Sequence, residues 1–228
     1  SQIPLTPVLK AVWHTGMYVM AAWFLLANLR FMLRLRRSRT PYPVEGCRYP
    51  VYLAEGLPSP CLFGLLRPAV YLTPAAAESP ETLRHVLAHE TTHARHGDPL
   101  WSLLRCVCLA VYWFDPLVWI AAIVSRRDCE LACDEGALQR LGEAERIPYG
   151  QTLLRLIPVA RRPESPMLSA TTMTAGKKEL KDRITRIAEN RRTVSVALLA
   201  VVAAAALVCA LTFTGAKPSV RSLTGEEL

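Results

Sequence analysis

The 228-residue sequence has no acidic residue before Glu45 and none between Arg192 and Glu226. It has no internal repeat and no cysteine framework, since Cys47, Cys61, Cys106, Cys108, Cys129, Cys133 and Cys209 are odd in number and irregular in spacing. The first absence leaves residues 1–44 and 193–225 without an acidic side chain; the others exclude a repeat array and a disulfide-stapled scaffold. What is present is a chain of 51% hydrophobic residues with a net charge of +8 and a mean hydropathy of +0.20. That composition excludes a disordered or collagen-like protein.

Each acid-free end holds a long uncharged run. Ala11 to Leu29 is 19 residues and Thr193 to Ala216 is 24, each long enough to span a hydrocarbon core of ~30 Å at ~1.5 Å per residue. The reading is one transmembrane helix over 8–33 and another over 193–216. Arg30, Arg34, Arg36, Arg37 and Arg39 follow the first run, and Lys177, Lys178, Lys181, Arg183, Arg186, Arg191 and Arg192 precede the second. Short flanks rich in Lys and Arg stay on the inner side of a membrane, so 34–192 is expected in the cytoplasm and the tail 217–228 outside. These 12 cations exceed the whole net charge. The basicity therefore marks topology, with the lipid bilayer as partner and no direct contact with nucleic acid. A cleaved signal peptide needs its basic residues before the apolar run, not after it.

Between the runs, Tyr49 to Glu55 and Cys61 to Leu72 read as short strands, with Pro68 marking an edge strand or a break. A helix is expected from Ser79, a capping residue, through Pro80 and Glu81 to about His96, where Gly97 and Pro99 end it. A second runs from about Arg126 to Leu141 and is closed by Gly142. Pro158 to Gly176 reads as a loop, and Glu179 to Arg192 as an amphipathic basic helix.

Within the first of these helices stands His89-Glu90-Thr91-Thr92-His93, the H-E-x-x-H pattern. Residues four apart share a helix face, so both imidazoles can meet one zinc ion, and Glu90 can take a proton from a water whose pKa the metal lowers toward ~7. The third histidine of a metzincin would fall at Pro99, which excludes that pattern. Glu130 is the better candidate for the third ligand, with Asp134 one turn further on the same face; one carboxylate can ligate while the other orients a ligand imidazole. Asp98 is a second candidate for the orienting role. His85 and His96 read as packed or surface histidines, and Cys129 and Cys133 as small side chains packed in a helix.

Leu100 to Val124 is apolar enough to be a third span but carries Arg105 and an Asp115-Pro116 break. A single crossing would put His93 and Glu130 on opposite sides of the membrane. The segment 100–124 must therefore turn back as a helical hairpin, buried in the domain or dipping into the bilayer surface.

Several motifs in this order resemble the membrane zinc metallopeptidases of the BlaR/MecR type, the beta-lactam-responsive signal transducers of bacteria. They are Ser59-Pro60, Phe63-Gly64, Pro68 and Tyr71-Leu72; Leu87 to His93 with Asp98; Trp113 to Trp119; Glu130 to Glu135; Tyr149-Gly150; and Leu180-Lys181 with Arg183-Ile184. The resemblance implies an α+β membrane protein: a mainly helical, gluzincin-like peptidase domain with a small sheet, flanked by two transmembrane helices in the bacterial plasma membrane. It implies Zn2+ as cofactor, His89, His93 and Glu130 as its ligands, and Glu90 as the base. It also implies cleavage of a cytoplasmic, DNA-bound repressor and of the chain itself. The composition of Pro158 to Gly176 and its place before the last span make it the expected self-cleavage stretch, and a dimer is one expected form. Family sensors add a penicillin-binding domain with S-x-x-K; no S-x-x-K occurs here, and 12 residues follow Ala216. Two other readings are a housekeeping membrane protease for damaged proteins and a non-catalytic relay with structural zinc.

Overall fold

The computed structural model of the chain describes residues 5–156, 171–172 and 177–189. The expected span 193–216, the tail 217–228 and most of Pro158 to Gly176 lie outside the described residues. The described part is mainly helical with one small sheet.

Helix α1 covers Leu5–Ser38 and is the one described helix long and apolar enough to cross a membrane. Only Phe24 and Leu35 along it are buried. The chain then enters a five-stranded sheet: β1 (Arg39–Pro41), β2 (Val51–Ala54), β3 (Cys61–Phe63), β4 (Ala69–Leu72) and β5 (Thr171–Thr172), in the order β1-β2-β4-β3-β5. The expected single strand Cys61 to Leu72 is thus two antiparallel strands, pairing Cys61 with Tyr71 and Phe63 with Ala69. Gly64, at φ 116°, adopts a conformation that a side chain would strain, and Pro68 closes the turn before β4. Pro68 therefore marks the break rather than an edge, and β4 lies inside the sheet.

Helix α2 (Pro80–His96) has the ends its residues predict. The N–H of Thr82 donates to Ser79 Oγ at 3.1 Å, and Gly97, at φ 71°, caps the last turn with its N–H on the His93 carbonyl. Helix α3 (Asp98–Val111) follows at once, and α4 (Pro116–Leu141) returns after Asp115, whose carboxylate accepts from the N–H of Leu117. The second helix therefore does not begin at Arg126. The returning arm of the hairpin and the helix bearing Glu130 are one continuous element, because no proline or glycine interrupts the chain from Leu117 to Glu135.

The hairpin packs along α1. Trp13 Nε1 donates to the Val111 carbonyl at 2.9 Å, the Trp113 ring lies where a side chain on Gly16 would stand, and Phe24 packs with Cys106, Leu109, Ala110 and Ala122. The C-terminal half of α4 packs instead on α2. A Cβ on Gly136 would come within 2.7 Å of Thr92 Cγ2, so glycine is what lets the two helices approach. Arg140 locks the same crossing by donating to the Ala88 carbonyl and to Thr91 Oγ1. Helix α5 (Arg146–Leu156), for which the sequence offers no clear signal, and α6 (Lys177–Glu189) complete the core through Tyr149, Leu153, Leu180 and Ile187 packed on Ala88, Ala137 and Leu138.

Candidate metal centre

Helical spacing puts His89 and His93 on one face of α2, and the crossing with α4 brings Glu130 against them. One ligand atom from each of the three lies within 4.8 Å of the other two, and all three residues are buried. The Nε2 atoms of His89 and His93 stand 3.1 Å apart, with Glu130 Oε2 3.5 Å from His89 Nε2 and Oε1 3.8 Å from His93 Nε2.

The far side of each imidazole is committed elsewhere. His93 Nδ1–H donates to Asp98 Oδ2 at 2.6 Å. His89 Nδ1–H donates to the Tyr149 hydroxyl at 2.8 Å, and that hydroxyl donates to Asp134 Oδ1 at 2.8 Å. Asp98 and Asp134 thus serve different histidines, Asp98 directly and Asp134 chiefly through Tyr149. With Nδ1 carrying the proton, each Nε2 presents a lone pair, and two lone pairs facing each other at 3.1 Å call for a cation between them. Burial lowers the His89 pKa, yet the Asp134 and Glu130 carboxylates outweigh it and push the group up to about 9. The donor set, two neutral imidazoles and one carboxylate, fits a divalent metal.

Glu90 points into the same pocket, and neither of its buried carboxylate oxygens has a hydrogen-bond partner. Burial pushes its pKa up against the pull of His93, His89 and the Leu62 backbone on β3. Burial also pushes Glu130 up, but the Arg183 cation and His89 override it and hold the carboxyl down at about 2. Asp134 is held well below the ordinary carboxylate range by the same Arg183, again against burial.

Three neighbours escaped sequence reasoning as site residues. Tyr149 is wholly buried on α5. Arg183 is 1% exposed, although its sequence context counts it among the cations flanking a span. The signal was available, because Arg183 interrupts the apolar stripe Leu180, Ile184 and Ile187 of α6. Cys133, buried beside His93, donates its S–H to Asp98 Oδ2 at 3.2 Å. Burial, with Asp98 and Glu130 nearby, pushes its thiol up and keeps it protonated. His85 lies outside the centre, bonded to Thr152 and Glu145, and His96 is exposed.

The sequence model of the BlaR1 peptidase M56 family matches residues 3–187. The chain belongs to this family. Among its relatives, the regulatory protein BlaR1 of Bacillus licheniformis is 31% identical over 130 residues, which are 57% of this chain and 22% of that protein. The methicillin resistance mecR1 protein of Staphylococcus aureus is 27% identical over 104 residues, covering 45% of this chain and 18% of that protein. The matched region is thus about a fifth of each relative's length. The chain is thus a member of a peptidase family, and its buried His and Glu cluster is a group that could hold a metal.

Proposed function

We propose that the chain is a membrane-anchored zinc endopeptidase of gluzincin type that cleaves a cytoplasmic protein, with a transcriptional repressor as the substrate and its own chain as a second target. The observation that carries this is the pair of opposed Nε2 atoms beside Glu130, with the unpartnered Glu90 carboxylate in the same pocket. His89, His93 and Glu130 would hold the zinc, whose Lewis acidity polarises a peptide carbonyl and acidifies a water. Glu90 accepts the proton of the attacking water at a carboxylate oxygen and returns it to the leaving amide nitrogen. Burial raises its pKa and so makes it a stronger proton acceptor. Asp98 and Tyr149 keep each imidazole in the tautomer that leaves Nε2 free for the metal.

Extended peptides bind at sheet edges, where main-chain hydrogen bonds hold them and side-chain pockets select them. Strand β3 lies next to α2, and its outer edge pairs with Thr171–Thr172 of β5, Cys61 opposite Thr172 and Leu62 opposite Thr171. A segment of the Pro158 to Gly176 stretch thus lies where an extended substrate would lie, which supports that stretch as the self-cleavage site.

The topology proposed is cytoplasmic for 34–192, in a multi-pass protein of the bacterial plasma membrane, with a second span over 193–216. The hairpin α3–α4 enters the bilayer beside α1. Its support is the packing on Trp13 to Phe24 and the outward Leu100, Leu104, Val107, Leu117, Ile120 and Ile123. Arg105 does not oppose this, because it donates inward to Ser102 and Ser125.

The test compares wild type with Glu90→Ala and His93→Ala in membranes holding a co-expressed repressor. Retained zinc with lost cleavage in the glutamate variant, and lost zinc in the histidine variant, are the expected results. Unchanged cleavage by Glu90→Ala overturns the proposal. Protease added to inside-out vesicles should cut at Arg161-Arg162; protection there overturns the orientation.

A further inference from the structure

We infer that Arg183 is a positioning residue that aims the third metal ligand, so that a competent metal site exists only when α6 is docked. The inference rests on the zinc reading above. Arg183 donates through Nε to Asp134 Oδ2 and through Nη2 to Asp134 Oδ1, both at 2.7 Å, and its Nη1 stands 3.1 Å from Glu130 Oε2. One planar guanidinium therefore spans two carboxylates one turn apart on α4. A lysine, a point charge without the fork, cannot reproduce this.

The two halves of the contact differ. The Asp134 half is a closed bidentate pair. In the Glu130 half, neither Nη1 nor Oε2 completes a hydrogen bond, and both atoms are buried. Arg183 thus fixes the direction of Glu130 while leaving that oxygen's lone pair for the metal. Without the cation, Glu130, Asp134 and Glu90 would be three buried acids around two histidines. Their like charges would then repel, and nothing would hold the ligating carboxylate toward the histidines.

Delivery of the guanidinium depends on α6. Leu180 and Ile187 anchor the helix in the core with Tyr149 and Leu153, Arg146 donates to the Ile187 carbonyl at 3.0 Å, and Asp182 pairs with Arg127 on α4. Glu130 and Arg183 are 53 positions apart in the sequence. The ligand set is therefore complete on α2 and α4 but is aimed by an element that joins the fold later in the chain. Displacement of α6 would loosen Glu130 directly and would reach His89 only through Asp134 and Tyr149, leaving the His93–Asp98 pair in place.

The experiment measures zinc Kd by chelator competition, and Tm without metal, on the full chain in nanodiscs. The proteins are wild type, His93→Ala, Arg183→Lys, Arg183→Met and Ile187→Asp. Arg183→Met and Ile187→Asp are expected to raise the zinc Kd about 10–100-fold, with Arg183→Lys between them and wild type. A purely structural role would lower Tm and leave the Kd of the folded protein at the wild-type value. That outcome overturns the inference, as does wild-type affinity in Arg183→Met. To cover poor folding of Arg183→Met, the double variant Asp134→Asn/Arg183→Gln removes the buried charge imbalance; it should fold and still bind zinc weakly, and wild-type affinity there also overturns the inference. Failure of the zinc reading looks different: wild type and His93→Ala would then bind zinc equally.

Discussion

Helix α4 serves two opposite environments along one continuous run. From Pro116 to Ser125 it turns Leu117, Ile120, Ile123 and Val124 outward and packs small or flat residues, Ala122 and Trp119, against α1 and α3. From Glu130 to Leu141 it buries Glu130, Asp134 and Cys133 and packs Ala137 and Leu138 into the core. The first half has apolar groups outside, and the second has charged groups inside. The hydrophobic effect accounts for neither half alone. Outward leucine and isoleucine are stable if the surroundings are hydrocarbon, and inward carboxylates are stable if each meets a cation. On the topology proposed above, the same helix can do both because the hairpin and the metal centre are solvated by different media.

The centre should give the larger response to mutation. Replacing Glu90 by Gln keeps the shape and removes the base, so kcat should fall about 10²–10⁴-fold while zinc binding is retained. Single-turnover cleavage with zinc analysis on the same sample checks this, and a loss of zinc in step with activity would assign Glu90 to ligation instead. Next in size is a charge on the outward face of the hairpin. Ile120→Lys should cost ~2.5–3.5 kcal/mol if that face lies in lipid. Leu66 is the control, because it is 92% exposed on the β3–β4 turn, and Leu66→Lys should stay within about 0.5 kcal/mol. Thermal unfolding in nanodiscs measures both. Equal small effects would mean that the hairpin faces water, and the contrast within α4 would vanish.

How far the sequence reveals these two halves depends on whether the determinant is local. The ends of α2 are legible, because Ser79, Pro80 and Gly97 act within one turn of themselves. The hairpin is legible at its turn, where Asp115 caps its own helix. The juxtaposition of Glu130 with the histidines could be anticipated from charge spacing, since two acids four apart share a face. The continuity of α4 was hidden because Ser125-Arg126-Arg127 looks like the edge of an apolar run, although nothing there breaks a helix. Tyr149 and Arg183 were hidden for another reason. Each is far from α2 and α4 in sequence; the apolar stripe of α6 marks Arg183 as inward-facing, but which side chains Arg183 and Tyr149 meet follows from the docking of α5 and α6, which no local pattern encodes.

Orientation of the imidazoles should rank third. Asp98→Ala removes the acceptor from His93 Nδ1, and loss of such outer partners costs about 10–100-fold in metal affinity. Tyr149→Phe should cost less, because Asp134 Oδ1 stands 3.2 Å from His89 Nδ1 and can accept directly. Chelator competition separates the two variants. If Tyr149→Phe is the worse one, Asp134 does not reach His89 unaided.

The last predicted effect, the pH dependence of the metal-free protein, bears on the centre alone. Glu130 and Asp134 have depressed values in the fold, so their contribution is fully present above their ordinary 4.5 and 3.8 and is lost as pH falls toward about 2. His89 is raised from 6.5 to about 9, so its contribution is fully present below 6.5 and is lost as pH climbs to about 9. Glu90, also raised, adds to the loss on the alkaline side of 4.5. The metal-free Tm should therefore peak between about pH 4.5 and 6.5 and decline toward 9. With zinc present the alkaline decline should disappear, because the metal requires the unprotonated imidazole and replaces the proton as the charge between the two Nε2 atoms. Substitutions on the hairpin face, which touch no titrating group, should shift both curves without changing their shape. A change of shape from Ile120→Lys would mean that the two halves of α4 are not independent.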